Sequence, residues 1–533
     1  MTWFANRLFS PDRLADPALA RRLFLGVLAV TLAFRLTLAA RLPITGDEAY
    51  FFYWGKYPDW GFYDHPPMVG WWLAGLAAIS EHPLMLRIPA LLAPLIIAWT
   101  GLRLLHRSNP ALAFSVATLL LLAPLNAWNI AITTDIPLMI FCFGAVAFYL
   151  RAQRSGQWSD YLLCGLMLAG ALLSKYFAGM LALALAGHCL WRPTRAKLIG
   201  LAWIVIGSLP AAIIQIAWNA QNCWPNLMFN LVNRHENAGW SWRTPLLYAL
   251  SLAYVLTPWV LWRLLSRGGA GSAAAGLRRG ESANGAPRPL QAGAEESALW
   301  WIVALPFGLF LLMSAVKTIG LHWLASFVAP ALLLFGLRAG AAQMGQALKW
   351  SAALVALHYA LIIGMALVPL DSLKSWRAYP GIVMTLAPDS VRKVLEPYRG
   401  KFVLASDGYS AAVTIGFNLH EYVLVFGPAS SHARHDDILT DFRKLDGRDL
   451  LIIRKDPDRD FDDSPYFDRI EHKVVDVRGA PFTLTEGYGF HYDRYRDAVL
   501  DEVRKRYYGV PGWLPKGPCY FCDRYFADRA CHR

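Results

Sequence analysis

The chain has 533 residues, of which 56% are hydrophobic and only 17% are charged. Soluble domains carry about 25% charged residues, so this composition excludes intrinsic disorder and a conventional cytosolic enzyme. The net charge of +13 lies in the first 370 residues, because the final 163 residues carry about 50 charges that are evenly divided by sign. No basic stripe or recognition helix accompanies the positive charge, so we expect no nucleic-acid partner.

Apolar residues come in long blocks that are bounded by charged, Pro or Gly residues. Each block is close to the ~20 residues that a helix needs to cross a bilayer. The pattern predicts a mainly α protein, a polytopic bundle of about eleven transmembrane helices. The predicted spans are residues 23–40, 86–105, 111–127, 135–150, 160–175, 176–191, 198–217, 245–263, 298–316, 322–338 and 349–370.

Lys and Arg cluster in alternate loops between these spans, for example at Arg21 and Arg22 and at Arg151 and Arg154. By the positive-inside rule these loops are cytoplasmic. The N-terminus is therefore predicted to be cytoplasmic and, after an odd number of crossings, the C-terminal domain to be periplasmic. The first span has no clear small-residue cleavage site, so we expect an uncleaved anchor.

The loop between the first two predicted spans is too aromatic for a solvated loop and too polar for a span. Aromatic residues at this density favour the headgroup level, which predicts short interfacial helices in the first outer loop. Two acidic centres lie here: Asp47 with Glu48 where the first span emerges, and Asp64 with His65 before a Pro-Pro break.

Two acidic centres at a membrane surface suit a transfer reaction. One carboxylate can accept the proton of an attacking hydroxyl or orient that hydroxyl. A lipid phosphate as leaving group needs fixed positive charge where its negative charge develops. Asp47 and Glu48 are therefore candidate catalytic residues. The alternative is that the pair only caps an interfacial helix.

The first outer loop carries a resemblance. Gly46-Asp-Glu-Ala-Tyr, followed by Trp60-Gly-Phe-Tyr-Asp-His-Pro-Pro-Met, is similar to the first external loop of bacterial relatives of protein O-mannosyltransferases. The aminoarabinose transferases that modify lipid A belong to the same group, and they have Glu-Lys where this chain has Asp64 and His65. The resemblance implies a C-type glycosyltransferase in the bacterial inner membrane. Such an enzyme takes a sugar from a polyprenyl-phosphate donor at the outer leaflet, with inversion and with Asp47 acting on the acceptor.

Other polar residues at the outer ends of spans complete the predicted site. Asp135 is a candidate catalytic acid, or with Thr134 a helix cap, and Lys175 either reaches lipid headgroups or holds the donor phosphate. Six residues are candidates for substrate binding, with Arg234 preferred as a phosphate clamp. They are Asp64, His65, Lys175, Arg234, Lys317 and His322. A histidine at the mouth of a span is also often only structural.

The residues divide into a predicted transmembrane glycosyltransferase domain, 1–370, and a periplasmic α/β domain, 371–533. In the second, residues 401–406 and 422–426 read as strands around a helix at 411–417, and a further strand follows Gly447. We expect this domain to shape acceptor access and take no direct part in catalysis.

The sequence leaves alternatives for the state of the cysteines and for a bound metal. Cys223, Cys519, Cys522 and Cys531 fall on the predicted oxidising side, where a disulfide between Cys519 and Cys522, or a related one, is favoured over a zinc site. No metal-ligand spacing is present, so the metal is unassigned, and a divalent cation is a candidate cofactor.

The predicted function is transfer of a sugar from a polyprenyl-phosphate donor to a lipid or glycan acceptor of the envelope, such as lipid A. Membrane lipids surround the protein. One alternative is a flippase or transporter of lipid-linked sugars, which should carry charge in mid-span or broken helices in repeated halves. Another is a non-catalytic receptor whose C-terminal domain binds envelope partners.

Overall fold

The computed structural model describes residues 8–233, 239–266, 293–455 and 462–527. The chain divides into two compact units. The helical unit comprises Met1–Arg41, Leu86–Ile213 and Ala238–Gly364. The sheet unit comprises Leu42–Met85, Ile214–Asn237 and Met365–Arg533, so it contains the first outer loop as well as the C-terminal region.

Seven helices in the described residues are long and apolar enough to cross a membrane. At a rise of about 1.5 Å per residue, each spans close to the ~30 Å hydrocarbon core or more. The protein is therefore a multi-pass membrane protein. The seven helices are Pro17–Arg41, Pro83–Leu105, Asp135–Ser155, Arg195–Gln221, Glu295–Ser314, Leu321–Arg338 and Ala341–Leu367.

The other four predicted spans also fall on apolar helices, but these are short or bent. Arg243–Leu256 and Pro258–Leu265 meet at an angle of 104° and count as an eighth span if taken together. Three other predicted spans correspond to single helices that are too short to cross the hydrocarbon core alone. The first of the three ends early because a 3₁₀ turn that begins at Pro124 follows it. They are Pro110–Leu121, Trp158–Leu172 and Ala178–Leu190.

Two buried cationic side chains fix the packing of the first long helix in the helical unit. Arg35 donates to the carbonyl oxygens of Asn126, Ala90 (2.6 Å) and Asn129 (2.9 Å). Arg87 is fully buried and donates to the carbonyl of Ala39 at 2.7 Å. Backbone carbonyls that no helix hydrogen bond satisfies are thus paired, as burial requires.

The C-terminal region forms a five-stranded mixed sheet of order β2-β1-β3-β5-β4. Strands β1 and β2 are parallel, as are β1 and β3, and β5 is antiparallel to both β3 and β4. The predicted α/β region is confirmed, and the hairpin of β4 and β5 is an addition that the sequence reading did not contain. The strands are β1 Val403–Ser406, β2 Leu424–Val425, β3 Leu450–Arg454, β4 Phe467–Val477 and β5 Ala480–Phe490.

The sheet has an apolar core on both faces, which explains why β3 reads Leu-Leu-Ile-Ile-Arg with every residue buried. Leu451 and Ile453 pack with the helices of one face. Leu450 and Ile452 pack with residues of the opposite face, including Tyr63 of the first outer loop. The helices of the sheet unit after the last span are Tyr379–Leu386, Pro388–Leu395, Tyr409–Leu419, Asp436–Leu439, Tyr492–Tyr495, Asp501–Tyr507 and Tyr520–Tyr525.

The first outer loop contains two helices, Gly46–Lys56 (the loop helix) and Met68–Ala77. Eight of the eleven residues of the loop helix are buried. Its aromatic side chains, which the sequence predicts at the headgroup level, pack inside the sheet unit against Tyr409–Leu419 (the sheet helix). The ring of Phe52 lies 4.9 Å from that of Phe417, and the Tyr53 hydroxyl donates to the Glu421 carbonyl at 2.7 Å.

Replacing Gly416 by Ala should destabilise the sheet unit. A Cβ at this position would lie 2.0 Å from the Tyr53 hydroxyl oxygen and 2.6 Å from the backbone carbonyl oxygen of Glu421. The loop helix would have to move, at a cost of about 1–3 kcal/mol. Thermal unfolding measures the loss. Gly381→Ala is the control, because its Cβ meets nothing closer than 3.8 Å, and an unfolding temperature equal in the two variants would contradict the packing.

The cysteine prediction needs a correction. Cys519 forms a disulfide with Cys223, not with Cys522, and joins positions 296 residues apart. Cys522 is also disulfide-bonded, and Cys531 lies outside the described residues. The preference for a disulfide over zinc is confirmed, and only the named pairing is wrong. Cys223 approaches Cys519 through tertiary packing, in which the Cys223 amide donates to the Pro518 carbonyl and the Trp224 indole donates to that of Pro515.

Loss of the Cys223–Cys519 disulfide should cost about 2–4 kcal/mol of stability, because a long loop is then released in the unfolded chain. Cys223→Ser and Cys519→Ser should lower the unfolding temperature equally, and the double variant should lose no more than either single variant. Additive losses, or no loss from Cys223→Ser, would show that the two cysteines are not partners in solution.

Candidate active site

Asp47 lies in the first turn of the loop helix and its side chain is exposed. The preceding residue, Gly46, packs directly against the sheet helix, since a Cβ there would lie 2.4 Å from the Ser410 Oγ. Only glycine permits this approach without a shift of the neighbour. The first turn that carries Asp47 is thereby held against the first turn that carries Tyr409.

Glu48 has the structural role that the capping alternative described. It is 1% exposed, and its Oε2 accepts hydrogen bonds from the Thr45 amide and the Thr45 hydroxyl, both at 3.1 Å. The Thr45 side chain in turn accepts from the Glu48 amide, which completes a capping box. Of the two adjacent acids, Asp47 is the one whose side chain is exposed.

Asp64 is brought to the same place as Asp47 by two tyrosines of the sheet unit. The Tyr50 hydroxyl donates to the Asp64 Oδ1 at 3.3 Å, and the ring of Tyr50 lies 5.3 Å from that of Tyr409. Burial, followed by the negative charges of Asp47 and Asp64, raises the pKa of Tyr409 to about 12. Tyr409 is therefore within electrostatic reach of both acids and keeps its proton at neutral pH.

The backbone that precedes Asp64 is fixed by Asn226, which is fully buried. The Asn226 side-chain amide donates to the carbonyls of Phe62 and Tyr63, the latter at 2.9 Å. The Phe62 amide donates to the His65 carbonyl at 3.0 Å and closes the turn that contains Asp64. His65 is half-buried. These contacts hold the turn without using the carboxylate.

In the helical unit, Asp135 and Lys175 form a buried ion pair. The Lys175 Nζ lies 2.8 Å and 3.0 Å from the two carboxylate oxygens of Asp135, and both side chains are less than a tenth exposed. Lys175 therefore does not reach out towards headgroups, and the Thr134 side chain makes no capping hydrogen bond. A buried pair of this kind is costly to desolvate, which makes it a functional candidate.

Aromatic contacts connect this ion pair to another predicted segment of the helical unit. The Lys175 ammonium lies 5.6 Å from the ring centroid of Phe177, and Phe177 lies 4.5 Å from Trp323. Trp323 follows His322, whose side chain is exposed, and Lys317 nearby is half-buried. Trp323, the residue after His322, is thus connected to Lys175 through the ring of Phe177.

Two predicted features stay untested by the geometry. Arg234, the preferred phosphate clamp, lies outside the described residues. Among the residues that the structure does describe, no group of three or more His, Cys, Asp or Glu side chains is placed to hold a metal ion.

The sequence reading missed Tyr409, Tyr50 and Asn226 as residues of this region. Tyr50 stood in the aromatic loop, where nothing distinguished it from its neighbours. Tyr409 and Asn226 carry no local motif, since their contacts join segments far apart in the chain.

Comparisons with known proteins agree with this architecture. Residues 64–219 match the family model described as dolichyl-phosphate-mannose-protein mannosyltransferase. ArnT from Cupriavidus metallidurans superposes with a TM-score of 0.53 and 14% identity in its apo crystal structure, over 86% of this chain and 97% of that one. Its structure with undecaprenyl phosphate bound gives 0.52 with the same coverage. The chain therefore has the fold of ArnT.

The matched region begins at Asp64, so it includes the Asp-His-Pro-Pro part of the first outer loop on which the resemblance partly rests. A further relative is the lipid A galacturonosyltransferase RgtD of Rhizobium johnstonii, which is 26% identical over 196 residues. That alignment covers 36% of this chain, and the chain spans only 39% of the length of that relative. The region that matches the family model contains Asp64, Asp135 and Lys175.

Proposed function

We propose that the protein is a glycosyltransferase of the bacterial inner membrane. It transfers a sugar from a polyprenyl-phosphate donor to an acceptor of the cell envelope, namely lipid A or lipopolysaccharide, another glycan or a protein. The observation that carries the proposal is the placement of Asp47 and Asp64 near one tyrosine in a chain with the fold of ArnT. An exposed carboxylate, Asp47, with a second, buried acid near the same tyrosine suits acid–base chemistry on a hydroxyl.

The two relatives support the class of substrate. One is crystallised with undecaprenyl phosphate, and the other is named for a sugar transfer to lipid A. A polyprenyl-phosphate donor and a lipid acceptor are the corresponding partners for this chain. The reaction is placed on the periplasmic side, with the N-terminus in the cytoplasm, by the charges of the loops.

In the proposed reaction, Asp47 accepts the proton of the acceptor hydroxyl or orients it. The acceptor oxygen forms a bond to the anomeric carbon as the bond from that carbon to the phosphate oxygen breaks. The polyprenyl phosphate departs with the bonding electron pair, and the configuration inverts. Tyr50 orients the carboxylate of Asp64 by its hydrogen bond, and His65 lies on the same turn as Asp64.

The leaving phosphate needs positive charge, and the candidates are in the helical unit. Lys175 lies against Asp135, whose carboxylate orients the lysine side chain and offsets its charge. Lys317 and His322, on the segment that leads to Trp323, supply further donors. Arg234 remains a proposed clamp from its sequence position.

The flippase alternative is less well supported. It should have charge in mid-span that is available to a substrate, or broken helices in repeated halves. The buried Arg35 donates to three backbone carbonyls, which assigns it a structural role. The bent pair of helices at Thr257 is compatible with either class, so a direct assay must separate them.

The function is tested by mass spectrometry of lipid A and envelope glycans from cells with and without the gene. We expect one envelope component to lose the mass of a single sugar when the gene is absent, and to regain it when the gene is restored. Identical masses in all three strains would contradict the proposal.

A further inference from the structure

The C-terminal region brings a tyrosine to the acidic group of the first outer loop. Tyr409 is the first residue of the sheet helix and is half-buried, so part of its side chain is accessible. Its ring packs edge-on against Tyr50, whose hydroxyl donates to Asp64. The next residue, Ser410, touches Gly46 immediately before Asp47. All these contacts lie within the sheet unit.

This placement is built into the fold. The loop helix is held against the sheet helix at three successive points, by Gly46 at Ser410, by Phe52 at Phe417 and by Tyr53 at Glu421. A position fixed over the length of two helices is a rigid support for a side chain that must meet a substrate precisely.

We propose that Tyr409 is a substrate-contacting residue of the transfer site, which donates its phenolic O–H to an oxygen of the acceptor beside the hydroxyl that Asp47 engages. The inference rests on the proposed function and assigns the C-terminal region a direct part in acceptor recognition. It differs from the sequence-based expectation that this region only shapes access.

The chemistry of the group fits this role. Burial and the two carboxylates keep the phenol protonated, so it is a hydrogen-bond donor throughout the neutral range. A donor near two carboxylates complements them, because an acceptor with several oxygens can donate to the acids and accept from the phenol. Tyr409 belongs to the same unit as Asp47, the residue that acts on the acceptor, which assigns it to the acceptor rather than to the donor phosphate.

The test compares binding of two lipids to the purified full-length protein in nanodiscs, with lipid A as acceptor probe and undecaprenyl phosphate as donor probe. Tyr409→Phe removes one hydroxyl and keeps the ring that packs on Tyr50. A net hydrogen bond of about 1 kcal/mol predicts about a fivefold rise in the Kd for lipid A. We expect an unchanged Kd for undecaprenyl phosphate and an unchanged unfolding temperature.

Tyr422→Phe is the matched control. It also removes one phenolic hydroxyl, which bonds Thr440 at 2.8 Å, and its ring also packs on the loop helix, at Tyr53. This variant should bind both lipids as the wild type does.

Three results would overturn the inference. The first is a Tyr409→Phe protein that binds lipid A as tightly as the wild type, and the second is an equal loss of affinity for both lipids together with a lower unfolding temperature. The third is a wild-type protein that binds undecaprenyl phosphate but not lipid A. A wild-type protein that binds neither lipid would instead count against the proposed function.

Discussion

Replacing Asp47 by Asn is expected to reduce sugar transfer by about 10²–10⁴-fold, the range that a positioned general base contributes. The amide keeps the size of the side chain but cannot accept the acceptor proton. The protein should fold normally, since the neighbouring Glu48 and not Asp47 forms the capping box that starts the loop helix. The measurement is transfer of labelled sugar by membranes that contain equal amounts of the two proteins.

The control for this prediction is Glu81→Gln. Glu81 belongs to the same outer loop, and Lys56 and then His420 lower its pKa at the protein surface. Surface pairs of this kind contribute little. The control variant should therefore transfer sugar at the wild-type rate. Full activity of Asp47→Asn would remove Asp47 from the mechanism.

The second large effect is expected at the ion pair of the helical unit. Asp135→Asn leaves the buried Lys175 ammonium without its carboxylate partner and should cost about 3–5 kcal/mol of stability. The double variant Asp135→Leu with Lys175→Met removes both charges, so it should recover most of that stability. Thermal unfolding in detergent measures both changes.

Activity distinguishes a structural pair from a functional one. If Lys175 stabilises the departing phosphate, the double variant folds well but transfers sugar at a small fraction of the wild-type rate. A stable double variant with wild-type transfer would show that the pair only holds the helices together. A single variant as stable as the wild type would contradict the burial of the pair.

The spans and the α/β character of the C-terminal region could be predicted from the sequence because both depend on local composition. Apolar blocks locate helices whatever their partners are, and β3 is recognisable because all five of its residues are buried. The lengths of individual helices were harder to predict from the sequence. Short breaks, such as the one at Pro124 or at Thr257, change a predicted span into a short or bent helix.

The sequence identified candidate residues of the site, but it could not predict their positions relative to one another. The motif around Asp47 is local and was recognised, whereas the partners of its neighbours come from distant segments. The sequence favoured a catalytic role for Glu48 over capping alone, whereas its hydrogen bonds to Thr45 show that it caps the loop helix. Tyr409 and the Cys223–Cys519 disulfide depend on contacts across most of the chain, for which a single sequence contains no signal.

The most direct test of the central claim uses the purified protein in liposomes that contain lipid A and an undecaprenyl-phosphate sugar labelled in both parts. We predict that the sugar label moves to the acceptor and that an equal amount of undecaprenyl phosphate is released. If the doubly labelled lipid instead crosses the bilayer with its sugar still attached, the protein is a transporter and the account is contradicted.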